Sequence, residues 1–359
     1  MNSIRTTCPY CGVGCGLQTD SKSGNLLGDS QHPANGGRLC VKGSALSETL
    51  GSQTRLLQPR VDGLQASWDH AIGEVAKRLE KTIRRYGPES VAFYVSGQLL
   101  TEDYYVANKL IKGFIGSANI DTNSRLCMST AVAAHKRVFG SDTVPGCYED
   151  LELADLVVLT GSNMAWTHPV VFQRLMAAKQ QRPEMTIVVI DPRRTVTAEQ
   201  ADLHLQITPG SDVWLFDGLL AYLAMHDAID RQYIEEHTNG MDEMFMASQT
   251  RSGRLGEVAS RCGLTVEKLQ AFYQQFAQTQ STVTVFSQGI NQSAHGVDQA
   301  SLILYCHLAT GRVGKPGSSP FSITGQPNAM GGREVGGLAN MLAAHMDIEN
   351  ADHRELVSD

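Results

Sequence analysis

The chain has 359 residues, 42% hydrophobic and 6% aromatic, with 34 glycines, enough for two or three globular domains and too long for a small stapled module. Its 30 Lys and Arg against 37 Asp and Glu leave a formal net charge of -7 with no long run of one sign, which argues against nucleic acid or an anionic membrane as the main partner. An anionic substrate would therefore need a local cluster of Arg or Lys.

Residues 1–55 are rich in Gly, Cys, Asn and Ser and lack helical periodicity, so they predict a small loop-and-strand unit folded around a metal. From residue 56 onward, short β-branched runs alternate with amphipathic segments, the α/β signature. Strands are expected at 91–97, 155–161, 186–191, 203–210 and 282–289; the first three are nearly continuous apolar runs, as in strands buried on both faces. Helices are expected at 68–86, 101–115, 212–228, 266–279, 296–310 and 334–345, with 229–260 as peripheral helix and loop. The strands end in small or polar clusters: SGQ at 96–98, TGSN at 160–163, DPRR at 191–194, PGSD at 209–212 and SQGINQ at 287–292. In open α/β sheets those carboxyl ends form the binding surface. No GxGxxG follows a strand, and GRVGKPGSS at 311–319 has Pro316 where a P-loop needs Ser or Thr, so an ordinary dinucleotide or ATP site is not expected.

The apolar runs LVVLT (156–160) and TIVVI (186–190) fall far short of the roughly 20 residues of a spanning helix. The segment MNSIRTTCPYC has neither an apolar h-region nor a twin arginine. Four of the eight cysteines crowd into the first forty residues, which suits metal ligation in a reducing compartment better than a disulfide framework. The expectation is a cytoplasmic protein without a membrane segment.

The strongest motif is CPYCGVGC at 8–15 followed by Cys40, which places Cys8, Cys11, Cys15 and Cys40 at intervals of two, three and twenty-four residues. Four thiolates are what a [4Fe–4S] cube requires, and Gly12, Gly14 and Gly16 let the backbone come close to its sulfurs. A zinc site made by the same four thiolates is the competing reading. Zinc ribbons usually carry two C-x2-C knuckles, and neither Cys15 nor Cys40 belongs to a second one.

With that spacing followed by VKG (41–43), the chain resembles the N-terminal part of the molybdopterin-guanine-dinucleotide oxidoreductases, the superfamily of prokaryotic nitrate reductases and formate dehydrogenases. NSRLCMSTAV (123–132), YEDLELADLVVLTGSNMAWTHPVVFQR (148–174), DPRRT (191–195), PGSD (209–212), QGINQ (288–292) and TGQPNAMGGREVGG (324–337) extend the likeness over essentially the whole chain, most closely to cytoplasmic assimilatory nitrate reductases. The resemblance implies an α/β protein with a [4Fe–4S] domain at 1–55. It also implies a discontinuous molybdopterin domain at 56–130 and 286–359, and a domain at 131–285 that binds the guanine dinucleotide. Family members are typically much longer, so the C-terminal part of the architecture is missing from these residues.

By the same resemblance Cys127 is the thiolate bound to molybdenum, a soft ligand for a metal already held by sulfur; a lone cysteine without that motif is ordinarily a buried small hydrophobe. Lys42 corresponds to the lysine between the cluster and the pterin. Gln98, Asn123, Gln288, Gln292 and Gln326 match cofactor contacts. Thr160, Gly161, Ser162, Asn163 and Met164 match the loop that holds pterin and diphosphate, where small residues let backbone N–H groups approach phosphate. Asp191, Arg193, Arg194 and Thr195, with Gly210, Ser211 and Asp212, resemble the guanosine pocket; a carboxylate can accept both N–H groups of a guanine edge. Met128 and Arg333 are candidates for the substrate funnel, since a guanidinium can hold two oxygens of planar nitrate. Met128 also reads as core filler and Arg333 as an ion pair with Glu334 or another carboxylate.

The implied activity is reduction of nitrate to nitrite at a molybdenum bis(molybdopterin guanine dinucleotide) centre, fed by the cluster from ferredoxin, flavodoxin or an NAD(P)H-linked flavoprotein subunit. Formate oxidation is the first alternative, and there the metal-binding residue is usually followed by His, whereas Met128 follows Cys127. An iron–sulfur electron-transfer fragment without a competent molybdenum site is the second.

Overall fold

The computed structural model describes residues 3–20 and 25–358. The chain divides into two compact units, Met1–Arg125 with Gln326–Asp359, and Leu126–Gly325.

The first unit begins with an antiparallel sheet of β1 (Ser3–Thr7), β2 (Gly16–Asp20) and β3 (Leu26–Gly28). A short hairpin, β4 (Arg60–Val61) with β5 (Leu64–Gln65), precedes the helix Trp68–Tyr86, which the Ser67 side chain caps by accepting from the His70 N–H. A two-stranded parallel sheet follows, β6 (Phe93–Val95) with β7 (Ile120–Thr122) in register Phe93 to Ile120. Its core is small: Val91, Ile111 and Ile120, with Leu79 and Ile83 packed on them.

Three expected features of this unit differ. The strand expected at 91–97 with both faces buried is Phe93–Val95, with Tyr94 exposed, because it pairs in a sheet of two strands. The helix at 101–115 is α-helical only over Thr101–Asn108 and widens to a π-helix over Lys109–Ile115, which Gly116 ends in the left-handed region. The expected helix at 334–345 is instead a helix at Ala329–Glu334, a loop and a single 3-10 turn at Ala343–His345. Gly336 sits at φ 74°, and the carbonyls of Gly336, Leu338 and Met341 all accept from the ammonium of Lys112. A half-buried ammonium with three donors draws those carbonyls out of any helical ladder.

The second unit is built on a five-stranded parallel sheet. In chain order its strands are β8 (Leu156–Thr160), β9 (Thr186–Ile190), β10 (Leu203–Leu205), β11 (Thr282–Phe286) and β12 (Ser319–Ser322), arranged as β10-β9-β8-β11-β12. Every residue of β8 and β11 is buried, as their unbroken apolar runs require in a central parallel strand. The chain reverses its direction of travel across the sheet between β8 and β11, so the crevice at the carboxyl ends of these two strands is the topological switch point. The helices Asp212–Met225 and Gly296–Ala309 are apolar on most sides and pack against each other in the main core. The region 229–260 is not peripheral. It forms the helices Arg231–His237, Met241–Ser252 and Leu255–Cys262, which bury Ile234, Met241, Phe245, Val258 and Ala259 in that core. Short helices broken at Gly240, Gly253 and Gly263 are too brief to display a 3.6-residue period.

Candidate active site

In the first unit, the loop between β1 and β2 carries Cys8, Cys11 and Cys15. Cys8 N–H donates to the Cys15 carbonyl at 2.8 Å and Gly14 N–H to that of Cys11 at 3.3 Å, which closes the loop on itself. Cys40 is brought to it by Asn35, fully buried, whose amide takes the Gly16 N–H at 2.9 Å and donates to the carbonyls of Gly16 and Arg38 at 3.1 and 2.9 Å. Burial pushes the Cys15 thiol up to about 12, and the neighbouring Cys11, Cys8 and Cys40 push it the same way. Burial likewise raises Cys8, with Lys42 acting in the opposite sense. Cys8 and Cys15, both raised by burial and by the neighbouring thiols, are donors that a cationic centre would hold in thiolate form. Among the described residues no three metal-ligating side chains converge on a single ion; a cube would take one thiolate at each of four iron corners. Lys42 is exposed, two residues past Cys40.

The carboxyl ends of β6 and β7 gather three more predicted residues. Asn123 Oδ1 accepts from the Gly97 N–H at 2.8 Å, and the Gln326 side chain lies so close over Gly97 that a Cβ there would stand 2.8 Å from it. Gln98 is exposed on the same turn. Arg333 is buried within the short helix Ala329–Glu334 against Met330 Sδ. Glu334 beside it meets His345 at 2.9 Å.

The second unit brings most of the remaining candidates to one edge. Cys127 lies in the first turn of a helix, Ser124–Phe139, that the polar stretch around it did not foretell. Its Sγ is buried and receives a hydrogen bond from Gln288 Nε2 at 3.0 Å. Gln288 follows β11, and the adjacent Gly289 crosses the loop after β8: Gly289 N–H donates to the Gly161 carbonyl at 2.9 Å, and a Cβ on Gly289 would stand 2.4 Å from Gly161 Cα. The thiol and both loops therefore meet at the switch point. Gln292 is exposed and donates to the Leu126 carbonyl at 3.1 Å, while Met128 is buried and its Sδ takes the Asn291 amide at 3.5 Å.

Around that crossing the loop after β8 is held open by Thr197, whose hydroxyl donates to Asn163 Oδ1 at 2.7 Å and accepts from the Ala165 N–H at 3.0 Å. Met164 is fully buried beneath it. Ser162 is buried, and among the described residues its hydroxyl has no hydrogen-bond partner. A buried hydroxyl left unpaired costs about 1–3 kcal/mol, so this one is set for a ligand oxygen.

Asp212 opens the long helix Asp212–Met225 and is buried; desolvation lifts its carboxyl to about 6 against a hydrogen bond from Thr160 Oγ1 at 3.5 Å, with the charge of nearby Asp191 adding to the rise. Asp191 Oδ1 accepts the Arg193 N–H at 2.8 Å, and Thr195 caps the next short helix. Arg193 and Arg194 are exposed, Ser211 bonds the Thr208 carbonyl, and Gly210 takes φ 82°. Two close carboxylates with flanking guanidiniums fit a ligand that presents N–H donors at one end and phosphate at the other. Two cavities of the second unit, of about 410 and 320 Å³, are lined by Asp230, Arg312 and Lys315 and by Trp214, Met244 and Tyr305 respectively. Neither is lined by any of these site residues.

Sequence reasoning passed over Gly289 and Asn291, both inside QGINQ, and Thr197. The glycine beside Gln288 was the available signal; the partnership of Thr197 with Asn163 had none.

The Molybdopterin oxidoreductase family profile matches residues 55–357, and that of the Molybdopterin oxidoreductase Fe4S4 domain matches residues 1–52. Together they assign the chain a 4Fe–4S cluster and a molybdopterin cofactor. A nitrate reductase of Klebsiella oxytoca is 54% identical over 359 residues, 99% of this chain and 41% of that protein. A nitrate reductase of Shewanella frigidimarina is 50% identical, over 99% of this chain and 39% of its own. The chain thus spans about two fifths of the length of these relatives. Among solved structures, acetylene hydratase from Pelobacter acetylenicus superposes with a TM-score of 0.73 at 23% identity, over 85% of this chain and 42% of that one, a likeness of fold alone.

Proposed function

This chain belongs to the molybdopterin oxidoreductase family, and we propose that it is the cluster- and pterin-binding portion of an assimilatory nitrate reductase, converting nitrate, two electrons and two protons to nitrite and water. The observation that carries this reading is the buried Cys127 thiol, held by the Gln288 amide where the loops after β8 and β11 cross. Support for the substrate comes from nitrate reductases that match 99% of the chain. When bound, the molybdenum–pterin centre supplies oxygen-atom transfer and the cluster supplies single electrons.

The chain's own residues bind and orient. An N–H donated to Cys127 Sγ would fix the direction of that sulfur. Thr160, Gly161, Ser162, Asn163 and Met164 would cradle the pterin and diphosphate. Asp212 and Asp191, with Arg193, Arg194, Thr195, Gly210 and Ser211, would take the guanosine and its phosphates. Lys42 would stand between cluster and pterin, and Gln98, Asn123, Gln292 and Gln326 would complete the polar contacts. Arg333 and Met128 would border nitrate, the guanidinium pairing two of its oxygens. The same proposal divides the labour as 1–55 for the cluster, 56–130 with 286–359 for the molybdopterin, and 131–285 for the guanine dinucleotide.

Electrons would come from an external donor protein of the ferredoxin, flavodoxin or NAD(P)H-linked kind. A cytoplasmic location would suit a chain in which four of the eight cysteines crowd into the first forty residues, a pattern of metal ligation more than of disulfides. Among the described residues no helix is long and apolar enough to cross a membrane.

The test is nitrate-dependent oxidation of a reduced dye by the anaerobically assembled protein. Cys127→Ala is expected to abolish it and leave the iron–sulfur spectrum intact; full activity in that variant overturns the ligand assignment. Turnover of formate in place of nitrate would move the reading to the dehydrogenases.

A further inference from the structure

The helix that carries Arg333, Ala329–Glu334, cannot hold its place unaided. It is six residues long and contains the adjacent glycines Gly331 and Gly332, and a helix so short and so rich in glycine is not stable without outside support. That support comes from one face of the helical segment that begins at Thr101 and widens at Lys109. Thr101, Tyr104, Asn108 and Lys112 recur on it at intervals of three and four, the spacing that brings side chains of a helix to one side. Asn328, just before the Arg333 helix, donates from its amide to Thr101 Oγ1 at 3.1 Å. Tyr104 is fully buried, and its ring lies so close that a Cβ on Gly332 would stand 2.8 Å from it and one on Gly337 3.2 Å. Asn108 Nδ2 donates to the Val335 carbonyl at 2.8 Å. The Lys112 ammonium donates to the carbonyls of Gly336 and Leu338, both at 2.8 Å, and of Met341. The backbone is thus gripped on both sides of Arg333, and all of these residues belong to the first unit.

Packing alone does not call for these groups. A half-buried ammonium and a half-buried amide cost more to place than methyl groups, and what they add over apolar contact is direction. The π-helical widening at Lys109–Ile115, which contains Lys112, is the kind of local departure that often accompanies a functional site. We propose that Lys112 and Asn108 are positioning residues for Arg333: through the backbone that follows its helix they set the direction of the guanidinium, so that it meets a planar oxyanion with two N–H groups. From the proposed function this takes only that the oxyanion binds at Arg333.

The experiment follows by peptide mass spectrometry the rate at which phenylglyoxal modifies Arg333 in the anaerobically assembled protein, with and without nitrate. Arg333 is buried, so modification is expected to be slow, and slower still in nitrate. Lys112→Met keeps an apolar stem and removes the ammonium. With three hydrogen bonds lost, it is expected to speed modification of Arg333 about tenfold and to raise the nitrate concentration that half-protects it about tenfold. Amide exchange along the helix Trp68–Tyr86 of the same unit should stay as it was. Asn108→Ala removes one hydrogen bond and is expected to move both quantities the same way by about threefold; it carries the test alone if Lys112→Met does not fold. Unchanged modification of Arg333 in the folded variants overturns the proposal. Faster modification together with faster exchange along Trp68–Tyr86 also overturns it, by assigning both residues to the stability of the unit as a whole. Faster modification of Arg333 alone, with no protection by nitrate in any of the proteins, would uphold the positioning and fault the proposed function instead.

Discussion

Cys127 and Asp212 show how single residues at the sheet's carboxyl edge are set up by their surroundings. The Cys127 thiol sits in the main core beside Met128, where a cysteine is ordinarily an inert small hydrophobe, and the Gln288 amide aimed at its sulfur is what supports the proposed ligand role. Asp212 bears the cost of its position: burial lifts its carboxyl from the usual 3.8 to about 6. The folded chain therefore keeps this proton to higher pH than the unfolded chain. The resulting penalty is absent below about pH 4, grows through the interval up to about 6 and is complete above it. Asp212→Asn is expected to raise stability by about 1–2 kcal/mol near neutral pH and by progressively less toward pH 4. Urea unfolding of both proteins at about pH 7.5 and about pH 5 checks this, and an equal difference at the two values would contradict it. A carboxylate kept there at such a cost is worth having only if bound N–H donors repay it, so the same substitution should lower pterin content.

Among the elements, the crossing of the loops after β8 and β11 does most to shape the site. Gly161 and Gly289 lie in backbone contact, and a single methyl group on Gly289 has no room. Gly289→Ala is expected to cost about 2–4 kcal/mol through forced separation of the two loops, and to release the pterin even at temperatures where the fold survives. Thermal melting together with fluorescence of extracted pterin checks both. Unchanged values would mean that the loops part freely. The elements also show where sequence patterns carry information. The strands β8 and β9 were legible because burial on both faces leaves an unbroken apolar run. The helix around Cys127 was not, because its first turn is polar and its apolar residues come later. The loop at 336–341 reads as helix by composition, yet it folds around Lys112, more than two hundred residues earlier in the chain.

For the whole molecule, the cluster and the α/β sheet make separable predictions. The protein purified without oxygen is expected to hold about four iron atoms per chain, and Cys40→Ser to lose them and loosen the first fifty residues. Zinc in place of iron by elemental analysis would overturn the cluster at its first step. The sequence by itself determined that the first residues form an iron–sulfur domain and named its candidate ligands, because Cys8, Cys11 and Cys15 lie within eight residues and their chemistry is local. It also determined the parallel sheet, through hydrophobic runs, and with the sheet the loops that must carry the site. Only the tertiary structure decided that Gln288 reaches Cys127, that Gly289 rests on Gly161, and that Asp191 and Asp212 share a field. These are contacts between segments far apart in the chain. No periodicity encodes them, because they exist only once the order β10-β9-β8-β11-β12 has set β8 beside β11.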